Sequence, residues 1–277
     1  MNINWYPGHM KKTIEDIEKK KKMTDFCIEI IDARIPISSR NPLFDKALVG
    51  KKRLIIFNKS DLANEDMNNK WINYLKNEDI NVIKYNSTRP NVNLITDASK
   101  KLMADFIKKI EDKGISPGPL RAMVVGIPNS GKSTFINGIS GRKSAKTGNM
   151  PGITKTNQWI KLNNYLHLLD TPGVLWQKLP KDVGLNLAFT GAIKDEIMDR
   201  ETLALKLIER LNSIDKNIIK ARYGVDTDEA PIDIMNQIGK KRGALLKGGD
   251  FDYEKIANII LDEFRRGILG RITLEEI

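Results

Sequence analysis

The sequence predicts an α/β fold: a mostly parallel six-stranded sheet over residues 1–176, followed by a small all-α domain over 177–277. Three observations predict it. Six short, apolar runs alternate with helical patterns as far as Trp176. Beyond that point only helical periodicity continues. The charge also divides there: the formal net charge is +11, with 29 Lys and Arg against 17 Asp and Glu in residues 1–176, and 17 against 18 in the rest.

The elements follow in order. Lys11–Lys22 reads as a charged surface helix. "FCIEII" (26–31), "RLIIF" (53–57) and "NVIKY" (81–85) are strands bounded by turn residues. "NKWINYLKN" between the last two is helical, and "LITDASKKLMADFIKKIED" (94–112) predicts one longer helix. "ISPGPL" breaks it, and "RAMVVG" forms a fourth strand. "QWIKL" and "YLHLL" around "NN" make a hairpin. In the final third, "LALKLIERL" aligns Leu203, Leu207, Ile208 and Leu211 on one face. "YEKIANIILDEF" does the same with Ile256, Ile259, Ile260 and Phe264, stopping at Gly267.

One cysteine, Cys27, excludes an internal disulfide and fits a reducing compartment. The N-terminal residues lack the apolar core of a signal peptide, and no apolar run approaches membrane-spanning length, so a cytoplasmic protein is expected. The basic surplus points toward a polyanion such as nucleic acid.

Two motifs carry chemistry. "GIPNSGKS" (126–133) fits GxxxxGKS, with a strand ending at Gly126 and a helix starting near Lys132. Backbone N–H groups from Asn129 and Ser130 through Gly131 to Thr134 would close on phosphates, assisted by the helix N-terminus. Lys132 would bridge the β- and γ-phosphates, and the Ser133 hydroxyl would bind Mg²⁺. Chance matches arise in roughly one chain of this size per hundred. "NKSD" (58–61), directly after the strand "RLIIF", is the second. The Asp61 carboxylate can accept from both N1–H and the 2-amino group of guanine, whereas adenine would leave it unpaired. Asn58 would tie this loop to the phosphate loop and Lys59 would lie over the base. In "NST" (86–88), Ser87 and Thr88 would offer a backbone N–H to guanine O6.

In "DTPG" (170–173), Asp170 would hold Mg²⁺ through water and the Gly173 N–H would meet the γ-phosphate; Thr154 of "PGITKT" supplies a second hydroxyl for Mg²⁺. Val174 follows, where many regulatory GTPases place the glutamine that orients water, so unaided hydrolysis should be slow.

The base-reading motif precedes the phosphate loop by some seventy residues, the reverse of the usual order. Three strands precede the phosphate loop's own strand and two follow it, which makes one sheet and leaves none for a second domain. The chain is therefore read as a P-loop GTPase domain with circularly permuted order, tolerable because the termini of compact domains often lie close together.

The order NKxD, GxPNxGKS, PGxT, DTPG marks the circularly permuted GTPases. With "WYPGHM" (5–10), "DARIP" (32–36) and "FRRGILGRITLE" (264–275), it closely resembles the ribosome biogenesis GTPase A family, YlqF type, from end to end. The resemblance implies GTP hydrolysis to GDP, action on a precursor of the large ribosomal subunit, and a helical domain that binds its ribosomal RNA. It also implies K⁺ near the phosphates, held by Asn129, and a catalytic role for His9. Read without it, His9 is a surface histidine beside a Pro-Gly turn. His167 reads as structural, and Trp5, Trp71, Trp159 and Trp176 as packing residues. Lys240, Lys241, Arg242, Arg265, Arg266 and Arg271 are candidate phosphate contacts in the helical part.

The basic cluster Arg142, Lys143, Lys146 and Lys155 lies in the loop expected to fold over Mg²⁺ through Thr154, and predicts a GTP-dependent RNA contact. Two other readings stand beside the GTP switch. A nucleotide kinase would need an acceptor site and no guanine motif, so "NKSD" counts against it. An RNA-binding structural module, its nucleotide only stabilising the fold, would show no stimulated turnover. A monomer without membrane attachment is expected.

Overall fold

The computed structural model describes residues 7–141, 159–176, 179–193 and 199–277, apart from the side chains of 7–11 and 13. Helix α1 (Pro7–Lys21) leads into β1 (Phe26–Asp32). Then come α2 (Pro42–Ala47), β2 (Arg53–Asn58), α3 (Glu65–Leu75), β3 (Ile80–Lys84), α4 (Val92–Leu102), α5 (Ala104–Glu111) and β4 (Leu120–Gly126). Helix α6 (Lys132–Ser140) precedes the hairpin β5 (Trp159–Lys161) and β6 (Leu166–Asp170). The six strands form one sheet in the order β3-β2-β1-β4-β6-β5, parallel except for the β5–β6 pair. The strand count, the parallel pairing and the antiparallel edge are those expected.

All seven residues of β1 and all six of β2 are buried, as a parallel sheet covered on both faces requires. One polar exception is Glu29, 1% exposed, which faces the guanidinium groups of Arg40 at 3.3 Å and Arg53 at 3.7 Å. The register sets Asp32 beside Asn58, Ile30 beside Gly126, and Val124 beside Asp170. The carboxyl ends of four strands thus form one rim, where open α/β sheets bind ligands.

The helix expected over 94–112 is two helices. They part at Met103, whose backbone (φ −99°, ψ 14°) departs from helical values and whose side chain is drawn into the core at 4% exposure. Helix α3 starts earlier than the apolar pattern suggested because Asn64 caps it, accepting from the Met67 N–H at 3.0 Å.

The rest is helical: α7 (Lys181–Phe189), α8 (Arg200–Ile214), α9 (Asn217–Tyr223), α10 (Pro231–Arg242) and α11 (Tyr253–Arg265). Leu203, Leu207, Ile208 and Leu211 of α8 pack with Ile256, Ile260 and Phe264 of α11 in one core. Ile35, Ile127 and Leu175 from the sheet side belong to that same core. After α11 the chain turns back: residues 271–273 lie against the loop that follows β2, and Leu274 and Glu275 against the loop that follows β1. The sequence pattern gave no sign of this return.

Candidate nucleotide-binding site

The phosphate loop leaves β4 at Gly126 and enters α6 at Lys132, between two residues in left-handed backbone, Asn129 (φ +58°) and Gly131 (φ +93°). Its turn closes on itself: Ser130 donates to Ile127 O through N–H at 3.4 Å and through Oγ at 2.9 Å. Lys132, only 7% exposed, reaches Asp170 Oδ1 at 2.5 Å. The groups assigned to phosphate and to Mg²⁺ are thus paired with one another across the rim. Ser133 follows Lys132 in the first turn of α6, with Thr134 exposed beside it. Gly173 lies against the loop backbone, where an added Cβ would be 3.0 Å from Pro128 N.

Asn58 joins the two motifs. Its Nδ2 donates to Ser130 O at 2.9 Å, and its Oδ1 accepts from Ser87 N at 3.1 Å and Ser87 Oγ at 2.7 Å. A Cβ at Gly131 would sit 2.2 Å from Asn58 Nδ2, so this contact requires glycine. The expected link between base loop and phosphate loop is present. The N–H groups of "NST" are already engaged, however: Ser87's by Asn58, and Thr88's by Asn86 Oδ1 at 2.8 Å. A guanine oxygen would have to replace or share those bonds.

Lys59, in left-handed backbone (φ +57°), extends along the rim. Its Nζ donates to Asp32 Oδ2 at 2.8 Å and to Asn129 O at 3.3 Å, spanning the two loops. Asp32 also receives Arg34 Nε at 3.0 Å and Nη2 at 2.7 Å. Burial raises the Asp32 carboxyl's pKa, but the charges and hydrogen bonds of Arg34 and Lys59 outweigh it and hold the group well below the usual carboxylate range. Burial lowers the Lys59 pKa, with the Asp32 charge opposing it. "DARIP" thus acquires a physical role that local pattern did not give it: a buried Asp–Arg–Lys cluster beneath the base loop.

Asn129 donates from Nδ2 to Gly191 O at 3.0 Å, which orients its amide and leaves Oδ1 as the side-chain atom suited to a cation. Among the described residues no group of three or more His, Cys, Asp or Glu gathers into a metal cage. A Mg²⁺ bound with phosphates takes only one or two protein oxygens and completes its shell with phosphates and water. The Asp170 carboxylate and the Ser133 hydroxyl are oxygen donors of that type.

His9 falls in the first turn of α1, but its side chain lies outside the described residues. So do Trp5, Thr154 and the cluster Arg142, Lys143, Lys146 and Lys155. Val174 is 4% exposed and packs with Ile17, Cys27, Met123 and Val125, so it has no part in handling water. His167 stands half-buried in β6. Burial and the neighbouring Lys161 and Arg121 lower its pKa. Trp71 is buried, whereas Trp159 is 39% exposed beneath the Arg121 guanidinium, less of a packing residue than expected.

Two candidate phosphate contacts make hydrogen bonds within the chain. Arg265 donates to Phe189 O at 3.1 Å and Ala188 O at 2.8 Å, closing the C-terminus of α7, and Arg271 binds the base loop. Arg242 pairs with Glu263 at 2.9 Å. Lys240, Lys241 and Arg266 are exposed. No helix among the described residues is long and apolar enough to cross a membrane.

Comparison with known proteins agrees with this geometry. Residues 121–237 match the family model for 50S ribosome-binding GTPases. Ribosome biogenesis GTPase A of Bacillus cereus is 41% identical over 278 residues, covering 99% of this chain and 94% of that protein. Among solved structures, GNP-bound YlqF from T. maritima superposes with a TM-score of 0.64 at 25% identity, over 96% of this chain and 98% of that one. A GDP-bound YlqF shares the fold with a TM-score of 0.67 at 24% identity, over 94% and 98%. The chain is a circularly permuted GTPase of the ribosome biogenesis GTPase A family.

Proposed function

We propose that this GTPase is a switch for late assembly of the large ribosomal subunit. Its GTP form binds the immature particle, and hydrolysis releases it. The observation that carries the reading is the joining of a guanine-reading loop to a phosphate loop through Asn58, beside a Val174 too buried to orient water. Such a site holds GTP and hydrolyses it slowly until a partner completes it.

In this reading residues 1–176 act as the GTPase domain and 177–277 as the RNA-binding domain. Asp61 accepts the N1–H and 2-amino group of guanine. Lys132 would leave Asp170 for the β- and γ-phosphates, and the freed Asp170 carboxylate would help hold Mg²⁺ through water. Ser133 and Thr154 offer hydroxyls to Mg²⁺, Asn129 offers its amide oxygen to K⁺, and Gly173 turns its N–H to the γ-phosphate. Mg²⁺ and K⁺ supply positive charge where the transition state accumulates negative charge. His9 supplies the catalytic element that Val174 lacks. Exposed Lys240, Lys241 and Arg266 are the remaining candidates for RNA phosphates on the helical part, and the cytoplasm is the setting.

The test is GTP turnover with and without purified large subunits, in potassium and in sodium. Turnover should rise with subunits and be higher in potassium, and His9→Ala should lose the stimulated component while keeping GTP affinity. Turnover indifferent to subunits would overturn the switch.

A further inference from the structure

The base-reading loop is braced from outside the GTPase sheet. Four hydrogen bonds tie it to a strap, the segment after α11. Arg271 donates through Nη2 to Ser60 O at 3.1 Å and through Nε to Ala63 O at 2.9 Å. Ile272 N donates to Leu62 O at 3.0 Å, and Asn64 N donates to Thr273 Oγ1 at 3.1 Å. The Leu62 side chain closes on Gly267, where a Cβ would lie 2.8 Å from Leu62 Cδ2. Asp61 sits exposed in the middle of these bonded neighbours.

The segment is itself anchored on both sides. Leu274 N donates to Arg34 O at 2.8 Å, and Trp71 Nε1 donates to Glu275 O at 3.2 Å. The Glu275 carboxylate accepts from Ile37 N at 2.6 Å and Ser38 N at 3.0 Å. A loop that carries Lys59 in left-handed backbone keeps that conformation only if its surroundings over-determine it. Bidentate recognition demands more, because a carboxylate displaced by an ångström meets one donor and misses the other.

Resting on the guanine-reading assignment, we propose that Arg271 is a positioning residue for base recognition, holding the Ser60–Ala63 backbone so that the Asp61 carboxylate meets both guanine donors. Its fixed fork suits two carbonyls in different directions better than a lysine would. The ion pair with Glu65 at 2.6 Å is incidental, since both partners are nearly half exposed and such pairs contribute little.

The readout is base selectivity, measured as GDP against inosine diphosphate, which lacks the 2-amino group. Wild type should prefer GDP by about tenfold or more. If it does not, the guanine-reading assignment itself fails. Given that preference, Arg271→Ala should weaken GDP binding by about tenfold and inosine diphosphate binding much less, so that the preference shrinks. Glu65→Gln, which keeps both carbonyl contacts, should leave the preference at the wild-type value. Should Arg271→Ala fail to fold, Thr273→Val removes the acceptor of Asn64 N without changing shape and should shrink the preference by a smaller factor. An unchanged ratio in the folded variants, or an equal loss for both nucleotides, overturns the proposal; the latter would mark Arg271 as structural support only.

Discussion

The phosphate loop and the base-reading loop stand side by side at the ends of β4 and β2, but their supports differ. The turn of the phosphate loop closes within a few residues, through Ser130 to Ile127 O and Phe135 N to Gly131 O at 2.8 Å, and the side chains of Asn129 and Lys132 reach out, to Gly191 O and Asp170. The base loop closes through Asp32, Ser130 and residues 271–273, the last more than 200 positions away in sequence. A turn closed by its own backbone is held first by its own motif. A loop bonded to remote segments inherits their stability and their motions, which makes guanine selectivity the property more exposed to events in the helical part.

Gly131→Ala should break the difference altogether, because it damages the buried junction the loops share through Asn58. A side chain at φ +93° is strained, and its Cβ would expel Asn58 from Ser130 O. Together these cost about 4 kcal/mol, close to a thousandfold in affinity for GDP and inosine diphosphate alike. Calorimetric titration of both nucleotides measures it.

Asp32→Asn acts beneath the base loop only. Arg34 and Lys59 would lose the carboxylate they share, at a cost of about 3 kcal/mol of stability at neutral pH. The sign with pH is fixed. A carboxyl whose folded pKa is depressed stabilises fully above its unfolded value, about 4, and loses that contribution progressively as pH falls from there through the folded value. Denaturant titrations should therefore show the same gap between wild type and variant at pH 7 and pH 5, narrowing in strong acid.

Asp61→Asn sharpens the contrast, since it leaves both supports intact and changes only the reader. GTP affinity should fall about a hundredfold, while xanthosine triphosphate, whose C2 oxygen can accept from the new amide, should bind better. Full retention of GTP affinity would remove "NKSD" from base recognition. The smallest effect is expected from Trp71→Phe, which deletes the bond to Glu275 O but keeps an aromatic ring beside Tyr74. It should cost about 1 kcal/mol of stability and slightly loosen the strap, visible as faster hydrogen exchange at Ile272 and Leu274.

By itself the sequence determined the six strands, their mostly parallel pairing with an antiparallel edge, and the placing of "GIPNSGKS" at a strand-to-helix turn. Each rests on local physics: β-branched runs bounded by turns, glycine where backbone must be left-handed, a helix N-terminus for anions. The permutation was legible too, because strand counting requires only element order. What tertiary structure decided has no local signal. The break at Met103 follows from a side chain drawn into the core. The engagement of the Ser87 N–H by Asn58 joins the ends of two neighbouring strands across 29 positions of sequence. Arg265 and Arg271 look like any surface arginine in sequence, and a charge pattern suggested RNA phosphate for both. In the fold their guanidinium groups meet backbone carbonyls: Arg265 reaches the C-terminus of α7, whose last carbonyls need donors, and Arg271 reaches the base loop because the chain after α11 returns to it.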